Sequence, residues 1–443
     1  MTSRFLTAAL VVAPMLSATA FADTTILVPS SREGRDACED AAAAAGDDVQ
    51  CARHLTKAFM VASEAMAAGG AMTVTLKLAG GEYRGDMDGG NYAMPVFSNP
   101  QAHLVIEGGY DASFSARDPW GTPTQFLTTE ARGGAYWTVG RNTKTASLTV
   151  DGILWDMQAS NKYDAKSNSL QKGGSSTHKV IKFNYWELGA LTFKNNVFLN
   201  APHRVTETLV RAADANMTIT WDNNIFLNNV IPLKLESARF RNKPKLVTVK
   251  NNSFILNWSY NPDPTTGNPG SLDMGSRDAA DEVVIENNLF YGNFGGAIQI
   301  APDNAPTVSI KNNNFVGNGL LHGNAKPEAS VVISVRNAGM NPLHGVDYIE
   351  DITDMTSGDG TGNVSVNPGL GIAMATSVQT VDNASIKPGD TWENAVNRIL
   401  GRNLDGGSVA IKDYAPKQMW NADAVFPTQE AAKAYGAKRT IAE

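Results

Sequence analysis

Short apolar runs recur through the middle of the chain, and each one ends in a pair of asparagines. A phenylalanine follows two residues after the second asparagine, and a second short apolar run comes after it. Apolar and polar residues alternate with a period of two, which predicts half-buried β-strands. Asparagine is typical of corners between strands, because it tolerates left-handed backbone. The pattern occurs five times, with its second asparagines at Asn196, Asn224, Asn252, Asn288 and Asn313.

The spacing of these copies predicts a solenoid. Successive second asparagines are 28, 28, 36 and 25 residues apart, and a repeat of this length forms one coil of a stack. Since every copy carries them, we expect the asparagines to hydrogen-bond between coils and the phenylalanines to fill the interior, rather than to bind a ligand. A catalytic group should interrupt the repeat.

This rhythm resembles the right-handed parallel β-helix of the pectate-lyase-like superfamily, over roughly residues 73 to 370. The resemblance implies an all-β solenoid with capped ends and a role in polysaccharide cleavage. The motifs that distinguish individual enzyme families of this superfamily do not match the sequence. The polygalacturonase-like set Asn-Thr-Asp, Asp-Asp, Gly-His-Gly and Arg-Ile-Lys is not intact, and Leu343-His344-Gly345 lacks its first glycine. The Asp-Pro-His-Asp motif of epimerases and the Lys-Ser and Arg-His-Gly strands of alginate and chondroitin lyases are also missing.

Four segments are predicted along the chain. Residues 1–22 carry Arg4, an apolar run and Ala20-Phe21-Ala22, which indicates a signal peptide cleaved after Ala22. Residues 23–72 are predicted to form an N-terminal helical cap, with helix across 32–69. Residues 73–375 are the parallel β-helix. Residues 376–443 form a C-terminal capping tail with short helices at 391–400 and 428–435, which closes the end of the solenoid or packs along one sheet.

Composition narrows the cellular context and the partners. A signal peptide predicts a secreted or periplasmic protein, and Cys38 and Cys51 are expected to form a disulfide in such an oxidising compartment. The formal charge of −7 argues against nucleic-acid binding. Membrane insertion is not expected, because no later run approaches about 18 apolar residues. We expect a monomer. No metal site is predicted, although Ca²⁺ bound by Asp263, Asp273, Asp278 or Asp281 is left open.

Candidate chemistry lies where the chain departs from short corners. Residues 157–176 and 258–281 are long insertions, and long loops on a regular scaffold carry binding groups. Residues 231–250 hold six basic side chains against one acid, an unusual cluster in an acidic protein. In Leu233-Lys234-Leu235-Glu236 the leucines should point inward, so Lys234 and Glu236 should lie on the outer face. We expect Arg211, Asp273 and Gln299 to join them in one row across neighbouring coils.

The predicted function is cleavage of an acidic, uronate-containing polysaccharide by β-elimination. This reaction requires a cation for the carboxylate, a base, and help for the leaving oxygen. The candidate catalytic residues are Lys234, Arg241, Arg239 and Arg211. The candidate substrate-binding residues are Glu236, His203, Arg204, Tyr260, Asp273 and Arg277.

Two alternatives stay open from the sequence. A glycoside hydrolase requires paired carboxylates, for which Glu236 with Asp273, or Asp273 with Asp278 or Asp281, are candidates. A non-catalytic, adhesin-like β-helix would bind glycan through the same groove.

Overall fold

The computed structural model describes most of the repeat region and parts of the rest. The described residues are 23–85, 92–128, 136–157, 163–164, 169–170, 180–183, 185–201, 205–207, 210–229, 232–235, 243–257, 271–274, 280–293, 296–300, 307–316, 318, 330–331, 333–335, 347–348, 352, 358–372 and 419–441.

Three long parallel sheets build a parallel β-helix, and each coil of the chain visits sheet A, sheet B and sheet C in that order. In pairing order, sheet A contains Val49–Cys51, Thr24–Val28, Met72–Ala79, Ser98–Tyr110, Lys144–Asp151, Glu187–Lys194, Thr218–Asp222, Leu246–Lys250, Glu282–Glu286 and Thr307–Lys311, with Arg211–Ala212 beside Glu187–Lys194. Sheet B contains Gly81–Tyr83, Thr124–Leu127, Ile153–Asp156, Val197–Leu199, Ile225–Leu227, Ser253–Ile255, Leu289–Tyr291 and Asn314–Val316. Sheet C contains Tyr92–Met94, Trp137–Val139, Ile181–Lys182, Thr206–Glu207, Leu233–Lys234, Leu272–Met274, Ile298–Ile300 and Ile333–Val335. The predicted all-β parallel solenoid is confirmed.

Two short antiparallel pairs lie outside these sheets. Tyr163–Asp164 pairs with Ser169–Leu170, and Ser330–Val331 pairs with Asp347–Tyr348. No helix in the described ranges is long and apolar enough to cross a membrane.

Sheet A begins earlier in the chain than the predicted boundary at residue 73. Thr24–Val28 pairs directly with Met72–Ala79, and Val49–Cys51 forms the edge strand. The β-branched and apolar sequence of the first strand explains why this segment extends the sheet. The single helix expected across 32–69 is instead two helices, α1 (Arg35–Ala45) and α2 (Leu55–Ala67).

Helix α2 covers the N-terminal end of the interior, as expected of a cap. Phe59 on this helix is fully buried and meets Trp137 edge to face, with ring centroids 5.7 Å apart. Asn99 fixes the end of the helix, because its side-chain amide donates to the carbonyl of Met66 at 3.1 Å. The predicted disulfide is present: Cys38 and Cys51 are bonded, with Cα atoms 5.7 Å apart, and join α1 to the edge strand.

The second asparagine of each repeat forms a buried hydrogen-bonded ladder between coils. From Asn224 to Asn313, each side-chain oxygen accepts from both the backbone N–H and the side-chain amide of the equivalent asparagine in the preceding coil, at 2.9 to 3.1 Å. The ladder continues from Asn313 to Asn363. A second ladder of the same design follows four successive sheet B strands, through Asn229, Asn257, Asn293 and Asn318.

The first asparagine of each pair has a different task. Its backbone takes up the left-handed conformation, with φ between 53° and 58° at Asn195, Asn223, Asn251, Asn287 and Asn312. The sequence pattern predicts that one asparagine both forms the left-handed corner and hydrogen-bonds between coils. In the structure the first asparagine of each pair forms the corner and the second forms the ladder. Phenylalanines fill the interior as expected: Phe226, Phe254 and Phe290 stack with centroids 4.7 and 4.8 Å apart and rings within 4° of parallel.

The outer end of sheet A carries a ladder of charges of mostly alternating sign. Neighbouring strands place lysine opposite carboxylate, with N–O distances of 3.2 to 3.6 Å in three pairs. Asp151 is fully buried and also forms an ion pair with Arg117 at 2.6 Å, which explains how two adjacent acids are tolerated. The ladder comprises Lys77, Glu107, Asp151, Lys194, Asp222, Lys250, Glu286 and Lys311.

The C-terminal segment, residues 419–441, packs along the side of the solenoid. Gly436 donates its N–H to the carbonyl of Asn287 at 2.8 Å, and Ala437 donates to the hydroxyl of Ser253 at 2.9 Å. Gly436 has φ of 77°, and a Cβ there would lie 2.8 Å from Leu289, so this close approach requires glycine. The predicted helix at 428–435 is only a 3₁₀ turn at Glu430–Ala432, after a short helix, α3, at Ala422–Val425.

Neighbouring asparagines provide a test of the ladder. We expect Asn252→Ala to lower the free energy of unfolding by about 3 kcal/mol or more, because it leaves the N–H of Asn224 and the carbonyl of Trp221 buried without partners. Asn251→Gly keeps the left-handed backbone and should cost less than about 1 kcal/mol. Urea unfolding of both variants measures the difference, and equal losses would contradict this division of tasks.

A second prediction concerns the docking of the C-terminal segment. Partial burial lowers the pKa of Lys438 from 10.5 to about 8. Above pH 8 the folded protein releases this proton while the unfolded chain keeps it, so this lysine destabilises the fold below pH 8 and ceases to do so as the pH rises to 10.5. Lys438→Met should therefore raise the unfolding midpoint at pH 7, and the difference from wild type should shrink as the pH approaches 10.5. A constant difference across this range would contradict the prediction.

Candidate functional site

The long insertions leave the solenoid next to sheet C. Residues 157–176 lie between the sheet B strand Ile153–Asp156 and the sheet C strand Ile181–Lys182. The second insertion, predicted at 258–281, contains the sheet C strand Leu272–Met274 and so divides into two segments that flank this strand. Loops therefore concentrate around one of the three sheets, and binding groups are usually carried on such loops.

A row of polar residues crosses the outer face of this sheet. Lys234 is in register with Asp273 on the next strand, and Asp273 is in register with Gln299 on the strand after that. Parallel strands lie about 4.8 Å apart, so these three positions are immediate neighbours. Leu233 and Leu235 on either side of Lys234 are fully buried in the core. The predicted register of these three residues is confirmed.

The prediction that Arg211 belongs to this row is wrong. Arg211 lies in a strand of sheet A, in register with Glu187. The residue that occupies the position next to Lys234 is Glu207, and Lys182 comes before it. The row therefore runs Lys182, Glu207, Lys234, Asp273 and Gln299.

Sequence reasoning missed Lys182 and Glu207, although the repeat carried a signal for Glu207. Subtracting the 28-residue step from Lys234 points to Thr206, one residue away. The offset arises because Thr206 comes five positions after Ala201, whereas Leu233 comes four positions after Asn229. One residue fewer at a corner is enough to shift the register.

The central charged residues of the row are buried rather than solvated. Lys234 is 9% exposed and Asp273 is 6% exposed, and both make interactions within the chain. Lysine and aspartate are almost never buried unless they are paired or hydrogen-bonded, because desolvation of a charge is costly. The sheet A ladder differs, since its Lys250 side chain is 37% exposed. Lys182, at the edge of the row, is exposed. The row thus leads from an exposed cation to an enclosed lysine and carboxylate.

Most other predicted site residues lie outside the described residues. They are Glu236, Arg239, Arg241, His203, Arg204, Tyr260 and Arg277, together with the potential calcium ligands Asp263 and Asp278.

The described part of the basic segment disperses into separate ion pairs. Lys243 contacts Asp281 at 2.9 Å, and Lys250 contacts Asp222 at 3.2 Å in the sheet A ladder. Asp281 therefore belongs to a surface ion pair and is not in register with Asp273. Among the described residues no three His, Cys, Asp or Glu side chains are grouped closely enough to hold a metal ion.

Comparison with known proteins gives no assignment: no protein-family model, no curated protein sequence and no solved structure matches this chain.

The enclosed pair can be tested by a double-mutant cycle. We expect Lys234→Met and Asp273→Asn each to destabilise the fold, because both side chains are buried and make interactions within the chain. The double variant should lose less stability than the sum of the two, with a coupling of more than about 1 kcal/mol. Urea unfolding of the four proteins measures the coupling, and strict additivity would contradict direct contact.

Proposed function

We propose that this protein cleaves an acidic, uronate-containing polysaccharide by β-elimination on the outer face of sheet C. The observation that carries the proposal is the enclosed Lys234, in register between Glu207 and Asp273 and next to the loop-bearing corner. The repeat pattern resembles the right-handed β-helix of the pectate-lyase-like superfamily, whose members act on such chains, and we propose membership of that superfamily. The predicted signal peptide and the Cys38–Cys51 disulfide are consistent with a secreted or periplasmic enzyme.

The reaction divides among the residues of the row. Exposed Lys182 lies two strands from Lys234, about 10 Å away, and would bind the uronate carboxylate. Neutralising this carboxylate makes the C5 proton more acidic. Lys234 acts as the base and takes the proton, the C4–O bond breaks, and a C4–C5 double bond forms. Lys234 then returns the proton to the leaving oxygen, so the step needs no other acid.

Asp273 has a supporting task in this scheme. Asp273 is buried and in register with Lys234 on the next strand, from where its carboxylate would hold the amine in position. Arg239 and Arg241 remain candidates for binding the uronate carboxylate of the substrate, the role proposed for Lys182.

Hydrolysis is the second candidate, favoured by a different pair of carboxylates from those the sequence suggested. Glu207 and Asp273 occupy register positions on either side of Lys234. Two strand spacings separate their backbones by about 10 Å, close to the separation of carboxyl groups in inverting glycosidases.

Elimination and hydrolysis leave different products. We expect the chain from Asp23 to generate ultraviolet absorbance from unsaturated sugar ends when it is incubated with uronate polysaccharides. Lys234→Met should abolish the absorbance, because the base is lost. Lys250→Met, which removes a lysine from the sheet A ladder, is the matched control and should keep wild-type turnover.

Other outcomes identify the alternatives. New reducing ends without absorbance would indicate hydrolysis, and Glu207→Gln should then stop turnover. Binding without either product would show a non-catalytic glycan-binding protein and would overturn the proposal.

A further inference from the structure

A second cluster, separate from the sheet C row, lies at the corner between sheets C and A. Tyr185 is 47% exposed and is the only aromatic residue among the exposed large hydrophobics of the described chain. The guanidinium carbon of Arg211 lies 5.2 Å from the centre of its ring, a cation–π contact. In the described residues Nε of Arg211 is buried and has no hydrogen-bond partner.

The backbone of Tyr185 is in an unfavourable conformation for its type. Its φ is 64°, in the left-handed region that a bulky residue rarely adopts. Most non-glycine residues with positive φ in the described chain are asparagines. Of the three exceptions, Phe114 packs against the cluster around Cys38 and Leu256 is buried, so packing accounts for both. No such burial accounts for Tyr185.

The preceding coil shows which residue this corner ordinarily takes. Lys144 and Glu187 are in register, and the residues two positions before them are Asn142 and Tyr185. Asn142 has φ of 69°, nearly the same backbone conformation. The chain therefore holds an exposed tyrosine where the preceding coil has asparagine, and strain of this kind is typical of functional sites.

Charges around the ring indicate an anionic ligand. Lys144, Glu187 and Arg211 are in register on three successive coils, and the carboxylate of Glu187 lies 3.2 Å from Nζ of Lys144. The acid is thus already paired with the lysine, which leaves the guanidinium of Arg211 as the available cation. An exposed aromatic face binds the apolar side of a sugar ring, and a guanidinium binds a carboxylate.

We propose that Tyr185 and Arg211 form a sugar-binding subsite for one uronate residue of an acidic polysaccharide. The sugar ring stacks on Tyr185, and its carboxylate accepts hydrogen bonds from Arg211. The choice of ligand class rests on the proposed function. The position of the subsite agrees with that function, because Tyr185 follows Lys182 by three residues and Arg211 follows Glu207 by four, so the subsite extends the sheet C row around the corner.

Substitution of Tyr185 separates a binding role from a structural one. We expect Tyr185→Asn to keep or raise the melting temperature, because asparagine suits this backbone, while affinity for short oligosaccharides of galacturonate or mannuronate falls by about tenfold or more. Tyr185→Phe keeps the ring and should keep most of the affinity. Arg211→Gln should reduce affinity for the acidic oligosaccharides to that for their carboxyl-reduced, neutral forms.

Calorimetric titration in the Lys234→Met background measures these affinities without turnover. Should the Lys234→Met protein fail to fold, the same substitutions are made in the protein that keeps Lys234. Loss of the subsite then raises KM and leaves kcat nearly unchanged. A Tyr185→Asn protein that melts lower and binds equally well would overturn the subsite, as would the absence of binding to both acidic oligosaccharides. Tyrosine-dependent binding without turnover would support the subsite and remove only the elimination chemistry.

Discussion

Buried side-chain amides that hydrogen-bond from coil to coil keep this protein in register. Ladder asparagines satisfy backbone groups of the preceding coil, so adding or losing a residue between two ladder positions would leave buried polar groups without partners. The side-chain period of a strand is two, and a slip of one residue would turn the outer residues inward. Every functional surface of the solenoid depends on this constraint.

The same scaffold presents three different outer surfaces. Sheet A carries a partly exposed ladder of ion pairs, and its exposed pairs are each of small individual value for stability. Sheet B has an apolar outer face that is nonetheless buried, at Leu199, Ile225, Leu227 and Leu289 among others, and the C-terminal segment lies against part of it. Sheet C alone combines an enclosed lysine and carboxylate with neighbouring long insertions. The ion-pair ladder and the candidate chemistry therefore lie on different sheets. Substitutions in the row on sheet C leave the ion pairs of sheet A intact.

The two candidate sites lie near one corner of the solenoid. They differ in the source of their free-energy cost and in whether other interactions offset it. Lys234 and Asp273 are desolvated, a cost that interactions within the chain offset. Tyr185 is solvated but strained, a cost that no packing offsets in the described structure. In both cases the residue conflicts with what the local environment favours, and such conflicts are expected where function rather than stability sets the choice. The proposed subsite and the proposed catalytic row would together hold consecutive sugars of one chain.

The sequence by itself determined the repeat, the interior phenylalanine stack, the asparagine ladder, the disulfide and the register of Lys234 with Asp273 and Gln299. These follow from local periodicity, which neighbouring coils enforce on each other. Tertiary structure decided the features that depend on the number of residues at each corner and on which side chains are buried. It moved Arg211 to sheet A, brought Glu207 beside Lys234, split the N-terminal cap into strands and two helices, and enclosed a lysine that alternation alone placed in solvent. One residue more or fewer at a corner is not visible in a periodic pattern, yet it decides which side chains meet.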